Sequence, residues 1–306
     1  MGIALARAFD GEVLACDSTA VYRGIDIGTD KVPAEAQGGV AHHLVDLVGP
    51  RETYSAARYG AEASAAARLV TTRGRLPILV GGTGFYYRAL IRGIFPGPTR
   101  DDAVRARLDR VAAHRGAEFL HRWLQRVDPP SAQRIQPRDR MRLVRALEVY
   151  LLTRKPLTEH FAETRSPIAD FQVLTIGLRL PRAVLLPRVA ARVEQQFRSG
   201  LVDEVERLLA AGVPAEAHAF SGLVYRQIME MRAGLRDLAA THDLIVRENM
   251  RYARRQLLWF RREANVHWID AAGESEAAQE TARALVQAWL SGTPGPVAPI
   301  GEGSAA

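Results

Sequence analysis

The sequence predicts an α/β core interrupted by a basic, all-helical insertion, and three observations lead there. Two short apolar runs, residues 12–16 and 76–80, each end in a turn of small or acidic residues and are followed by helical patterns. That is the order of a doubly wound parallel sheet. A Pro/Gly stretch at residues 95–99 closes this pattern, and from Val104 onward apolar residues recur at helical spacing. Charge is also unevenly spread. Lys+Arg 41 against Asp+Glu 34 gives a net +7, yet residues 97–165 hold 15 basic and 9 acidic residues, and residues 247–262 hold six arginines and one glutamate. Lys31 and Lys155 are the only lysines. A GC-rich coding bias also produces an arginine excess, so the clustering carries the inference. Two basic zones on an acidic-leaning body point to a polyanionic partner.

Each element follows in order. Residues 2–9 form a short helical piece, and Gly11 precedes the strand at 12–16, which ends on Asp17-Ser18. An alanine-rich helix is expected near 55–72. Residues 76–80, with proline near the start, suit a parallel strand. That strand breaks at Gly81-Gly82-Thr83-Gly84 and gives way to a helix through Leu90. Beyond the Pro/Gly stretch, Val104, Leu108, Val111, Phe119, Leu120, Trp123, Leu124 and Val127 mark helices, which continue at 141–152. A strand is expected at 171–178, helices at about 182–211, 221–233 and 241–262, and a last strand at 266–269. The Gly/Pro/Ser/Ala tail, 292–306, reads as disordered. The expected organisation is an α/β core of residues 1–96 with 166–291, and a helical insertion of residues 97–165.

Composition bounds the class. A 47% apolar, 25% charged chain is that of an ordinary globular protein. One cysteine, Cys16, forms no internal disulfide and no Cys-rich zinc site, which fits a reducing cytoplasm. No apolar run reaches ~18 residues, so no membrane span is expected, and residues 1–7 are too short and too soon charged for a secretory signal.

The chemistry-bearing candidates are few. Asp17 sits at the carboxyl end of a strand, where open α/β sheets gather ligands, although Asp-Ser pairs also cap helices and start turns. Gly81-Gly82-Thr83-Gly84 lies between strand and helix, where glycines let backbone N–H groups approach an anion. Tight turns use glycine as well. Arg138, Arg142 and Arg145 fall within about 60° of one another at 100° per residue, with Leu143, Leu147 and Tyr150 on another side. Arg247, Arg251, Arg254 and Arg262 share a face opposite Met250, Ala253, Leu257 and Phe260. A solvated charged face is the default for either helix, but both together favour nucleic-acid phosphates. His42-His43 lacks the spaced partners of a metal site and reads as structural.

The residues Asp17-Ser18-Thr19-Ala20-Val21-Tyr22-Arg23-Gly24-Ile25-Asp26-Ile27-Gly28-Thr29-Asp30-Lys31 resemble the DSxxVYxGxDIGTxK block of the tRNA dimethylallyltransferases. His42-His43-Leu44-Val45-Asp46, Tyr54-Ser55-Ala56-Ala57, residues 74–84, 142–150, 192–194 and 200–205, Tyr225-Arg226-Gln227 and residues 255–260 continue the resemblance in order to about residue 270. It implies a P-loop NTPase-like parallel sheet with an inserted α-helical domain. It also implies transfer of a dimethylallyl group from dimethylallyl diphosphate to N6 of the adenosine 3′-adjacent to the tRNA anticodon, with Mg²⁺ and tRNA as partners, by a cytoplasmic monomer. By resemblance Asp17 is the general base and Arg192 addresses the diphosphate. Asp17, Ser18, Thr19 and Ala20, with Thr83, Arg105, Met141, Arg142, Leu143, Val144 and Arg145, and Gly222, Leu223, Val224, Tyr225, Arg226 and Gln227, match positions that contact the tRNA. No metal ligand is assigned.

Three departures stand out. The family's GxTxxGK[ST] phosphate-binding loop and the strand before it are absent from residues 1–306, which implies an impaired catalyst and a sheet lacking a central strand. Met141 stands where the family usually has Gln, and Val224 where it usually has Gly. Two rival readings follow. One is a non-catalytic RNA-binding relic of the enzyme. The other is an adenylate isopentenyltransferase acting on free nucleotides, for which the arginine helices would have no use. A nucleoside-phosphate kinase shares the sheet type but needs the absent loop.

Overall fold

The computed structural model describes residues 1–95, 97–98 and 100–292. The chain divides into two compact units, Met1–Tyr87 with Asp170–Ala306, and Arg88–Ala169. Residues 293–306, in the tail read as disordered, lie outside the described residues, as do Pro96 and Thr99 of the Pro/Gly stretch.

The first unit begins with α1 (Gly2–Ala8) and β1 (Gly11–Cys16), then the single turn α2 (Ala34–Gln37), the two-residue β2 (His42–His43), α3 (Ala56–Thr72) and β3 (Leu76–Gly81). Ser55 caps α3, its hydroxyl accepting from Arg58 N–H at 3.2 Å. Next comes α4 (Gly84–Ile91), within which the division between units falls, upstream of the Pro/Gly stretch. Strands β1, β2 and β3 form a parallel sheet in the order β2-β1-β3, with Cys16 paired to Gly81 at its carboxyl edge.

The second unit is helical throughout: α5 (Asp102–Arg115), α6 (Ala117–Val127), α7 (Pro129–Arg134), α8 (Arg140–Thr153) and α9 (Leu157–Glu163). Gly116, at φ 79°, separates α5 from α6. Asp101, Asp128 and Asp139 cap α5, α7 and α8 through their carboxylates. The helical spacing read from the sequence is the buried stripe of this unit: Leu108, Leu120, Leu124, Leu143, Val144 and Leu147 form one cluster.

The chain then returns to the first unit through β4 (Thr175–Leu178), α10 (Arg182–Arg198), α11 (Leu201–Ala210), α12 (Leu223–Arg232), α13 (Leu238–Phe260), β5 (Val266–Ile269) and α14 (Glu276–Leu290). Two expectations need correction. The strand expected over 171–178 pairs only from Thr175, because β5 offers a partner over four residues alone. The helix expected over 182–211 breaks at Gly200, which takes φ 89° and starts α11 afresh.

Among the described residues β4 and β5 pair only with each other, and β3 has no partner on its second edge. Leu76 and Ile78 of β3 nevertheless pack on the same apolar cluster as Leu174 and Ile176, around Leu5 and Leu285. A parallel α/β core covers such strands on both faces. Here Val80 is 38% and Leu178 41% exposed, and Val80 faces a cavity at the carboxyl end of the sheet.

At the opposite end of β1, Glu12 is buried and gathers three donors. His43 Nε2–H donates to it at 2.5 Å, Arg75 at 2.9 Å and Arg73 at 3.3 Å. The hydrogen bond from His43 is the largest influence on its carboxyl. With the two arginines it outweighs burial and holds the group below its ordinary 4.5. His43 is thus structural, as its lack of spaced partners indicated.

Replacing Glu12 by Gln is expected to lower stability at neutral pH by about 1–3 kcal/mol, since the buried amide keeps one acceptor oxygen and turns an NH₂ group toward the donors of His43, Arg73 and Arg75. The stabilisation from a depressed carboxyl is complete above the unfolded value and is lost as pH falls through the folded one. Urea titrations of wild type and Glu12→Gln should therefore converge as pH drops below 4.5; a gap that stays constant to low pH would contradict this.

Candidate active site

The carboxyl ends of β1 and β3 meet at one point. Gly81 has φ 156°, and a Cβ there would lie 2.3 Å from the carbonyl oxygen of Cys16, so only glycine fits the pairing. Thr83 then ties the two strand exits together. Its N–H donates to Cys16 O at 3.1 Å, and its Oγ1 accepts from Ser18 N–H at 3.2 Å. The Cys16 thiol donates to Thr83 O at 3.7 Å, and burial pushes its pKa up to about 12, so it is an inert packing group.

Asp17 follows directly. Its Oδ1 accepts from Thr19 N–H at 2.7 Å, Thr19 Oγ1–H at 2.6 Å and Ala20 N–H at 3.2 Å, which fixes the side chain in an Asx-type turn. Oδ2 takes part in none of these bonds. Asp17 lines a cavity of about 340 Å³, whose wall includes Ile3, Val13, Ala15, Val45 and Val80. A carboxylate on an apolar wall at the carboxyl edge of a parallel sheet is the usual composition of a small-molecule site.

Gly82 and Gly84 were candidates for an anion cradle. Cβ atoms there would come within 2.1 Å of Gln256 Nε2 and 2.4 Å of the Trp259 ring, so the close approach of α13 accounts for both glycines. Gln256 Nε2 also donates to Gly82 O at 3.0 Å.

The loop from Tyr22 to Lys31 is held from two sides. Lys31 is buried, and its Nζ donates to Tyr22 O, Asp26 Oδ1 and Asp46 Oδ1, each at 2.6 Å. Glu204, also buried, accepts from Asp26 and Ile27 N–H at 2.9 Å and from Tyr225 O–H at 2.6 Å, while Tyr225 Oη accepts from Gly28 N–H at 2.9 Å. Burial, with the neighbouring Glu204 charge, raises the Tyr225 phenol far above its ordinary range, so it stays a neutral donor. Arg192 pairs with Asp30, whose Oδ1 also accepts from Gln196 Nε2 at 3.0 Å. Gly222 completes this side, since a Cβ on it would sit 2.9 Å from Thr19 Cγ2.

The first unit thus brings together Asp17, Ser18, Thr19, Ala20, Thr83, Arg192 and residues 222–227. Ala20, Val224, Tyr225 and Gln227 are buried, so their side chains support the surface rather than form it. Gly222, Leu223 and Arg226 are the outward members. Arg105 and residues 141–145 belong to the second unit. There Leu143 and Val144 are core, Met141 is 79% exposed and Arg142 projects to solvent. The expected row of Arg138, Arg142 and Arg145 is not a single outward face. Arg138 precedes α8, and Arg145 is drawn inward by Glu148 at 2.8 Å. The α13 stripe holds: Met250 is buried, Ala253, Leu257 and Phe260 are half-buried, and Arg247, Arg251, Arg254 and Arg262 are exposed.

Among the described residues no three His, Cys, Asp or Glu side chains converge as a cation site. Asp26 and Asp46 are taken up by Lys31, and Asp30 by Arg192 and Gln196. Mg²⁺ is commonly held by one or two carboxylates together with substrate phosphate oxygens. Asp17 offers one carboxylate and no second protein ligand, so the residues present hold no Mg²⁺ without the oxygens of a substrate phosphate.

The IPP transferase family model matches residues 20–263. The chain belongs to the IPP transferase family. It is 42% identical over 290 residues to the tRNA dimethylallyltransferase of Solibacter usitatus, covering 95% of this chain and 94% of that one. The crystal structure of the full-length tRNA isopentenylpyrophosphate transferase from Bacillus halodurans superposes with a TM-score of 0.67 at 35% identity, over 95% of this chain and 90% of that chain. A eukaryotic dimethylallyltransferase acting on tRNA gives a TM-score of 0.80 at 25% identity, over 96% and 77%. The parallel core of this IPP transferase is therefore P-loop NTPase-like. No helix among the described residues is long and apolar enough to cross a membrane.

Three residues that hold this family member's site together were given no role from the sequence: Glu204 and Gln256 lie in blocks that carry the resemblance and Gln196 does not, but each meets its loop partner across more than a hundred positions. Tyr225→Phe removes the hydroxyl that links Gly28 to Glu204. It is expected to cost about 1–3 kcal/mol and to speed amide exchange at Gly28, with exchange in α8 unchanged. Equal effects in both segments would mean that the bond does not fix this loop.

Proposed function

We propose that this chain transfers a dimethylallyl group from dimethylallyl diphosphate to N6 of the adenosine 3′-adjacent to the tRNA anticodon. The observation that carries the reading is Asp17, locked through one carboxylate oxygen at a strand end while the other is free of that lock, on the wall of an apolar cavity. The adenosine N6 attacks C1 of the allyl group, the C1–N bond forms, and the C1–O bond breaks with its electron pair leaving on diphosphate. The proton shed by the amine passes to Asp17 Oδ2. A carboxylate is basic enough, because the nitrogen becomes strongly acidic only as it bonds to carbon.

The apolar wall receives the five-carbon group, and Arg192, released from Asp30, meets the departing diphosphate. Thr83, Ser18 and Thr19 border the base to be modified, with Gly222, Leu223 and Arg226 beside them. Arg105, Met141, Arg142 and Arg145 engage the tRNA from the helical unit. A monomer is what the family resemblance implies, and the single buried thiol fits a reducing cytoplasm.

Asp17→Asn keeps the Asx turn and removes the base, and single-turnover transfer to an unmodified anticodon stem-loop should slow by ~10²–10⁴ while RNA affinity stays within twofold. A rate within threefold of wild type would overturn the assignment. Replacing Arg142 and Arg145 together by Ala should lower the slope of log K against log salt by up to ~2, if each neutralises one phosphate. An unchanged slope would reduce the pair to surface charge.

A further inference from the structure

The helical unit contains a fully buried carboxylate that the proposed reaction does not use. Glu148, on α8, has none of its surface exposed. Its Oε1 accepts from Arg105 Nε–H at 2.9 Å and from Asp101 N–H at 2.9 Å. Its Oε2 accepts from Arg105 NH2 at 2.9 Å and Arg145 NH1 at 2.8 Å. Arg145 is held on its other side by Pro98 O, at 3.3 Å from both NH1 and NH2. Burial alone would raise the carboxyl, but the bonds from Arg105, Arg145 and Asp101 bring it down to about 2, so it is ionised at neutral pH.

We propose that Glu148 is a positioning residue for tRNA: it sets the planes of Arg105 and Arg145 so that their remaining N–H groups meet RNA phosphates in one geometry. This rests on the reading that these two arginines contact the tRNA. The Arg105 fork is bidentate, which fixes its plane as well as its place. Arg105 and Met141 also line a cavity of about 370 Å³ in this unit, with Arg140 held at its rim by Asp109 at 2.7 Å. A free arginine loses rotamer freedom when it binds a phosphate, whereas a clamped one has already lost it on folding.

The sign of one substitution separates positioning from bulk charge. Glu148→Gln removes a negative charge from beside two arginines, so electrostatic attraction alone would tighten binding to any RNA. Positioning requires the opposite for the cognate ligand. Affinities of wild type and Glu148→Gln are measured by fluorescence anisotropy for an anticodon stem-loop and for a poly(U) strand of equal length. Circular dichroism confirms that the helical unit is folded at the assay temperature, and Glu148→Met serves as a second variant if Gln does not fold. We expect stem-loop binding to weaken about tenfold while poly(U) binding is unchanged or tighter. The Glu148→Gln and Arg145→Ala effects should be non-additive. Tighter or unchanged stem-loop binding, or equal losses on both RNAs, overturns the positioning role. If Arg105→Ala and Arg145→Ala themselves leave stem-loop binding unchanged, the failure lies with the tRNA reading and not with the clamp.

Discussion

The pairing of Cys16 with Gly81 is the constraint from which the catalytic side of the molecule is built. Parallel strands in register end together, and these two end where a Cβ would strike the neighbouring carbonyl. The chain must leave the sheet there on both strands at once. Thr83 makes use of that coincidence by bonding to Cys16 O and Ser18 N–H, which fixes the turn in which Asp17 is held. A residue that needs one oxygen restrained and another available is best placed at such an exit, where backbone N–H groups of the turn have no strand partner.

Much of this was legible in the sequence, for physical reasons that differ by element. The strands at 12–16 and 76–80 were readable because both runs are too short for a helix and end in turn residues, which settles the helix/strand ambiguity of a short apolar run. The cluster around Leu120, Leu124, Leu143 and Leu147 was readable from helical spacing. Two-residue β2 was not, since pairing through His42 and His43 depends on β1 beside it and not on local preference. The break at Gly200 was missed because one glycine in a helical pattern is usually tolerated. Of the candidate site, Asp17 was marked by its strand-end position, and the proposed roles of Arg192 and Thr83 came from resemblance alone. The partners that hold them were not visible, because Glu204 reaches Asp26 and Gln196 reaches Asp30 across well over a hundred residues.

Three buried glutamates recur as organisers. Glu12 collects His43, Arg73 and Arg75; Glu204 collects two backbone N–H groups and Tyr225; Glu148 collects Asp101 N–H, Arg105 and Arg145. A buried charge is costly unless its lone pairs are filled. Each of these is filled by donors from several chain segments, most of them distant in sequence, so the cost of burial becomes a requirement for one arrangement of those segments. Stability is a secondary gain, since an apolar replacement can match a buried pair in energy while specifying less.

The ion pairs of the helical unit then fall into two physical classes. Arg138 with Glu118, Arg142 with Asp139 and Arg100 with Asp102 lie at the surface, where water screens both partners and a pair is worth about 0–1 kcal/mol. A phosphate can displace such a carboxylate at little cost, and the counterions released from the RNA favour the exchange. Arg105 with Glu148 cannot exchange in this way, because expelling the arginine would strand an ionised carboxylate in the core. On the proposed reading, Arg105 therefore meets phosphate through its free N–H groups while the clamp stays closed. The basic zone visible in the sequence is accordingly not a uniform field. On that proposal, exchangeable arginines supply attraction, and those fixed from within supply a geometry that a less ordered RNA fails to match.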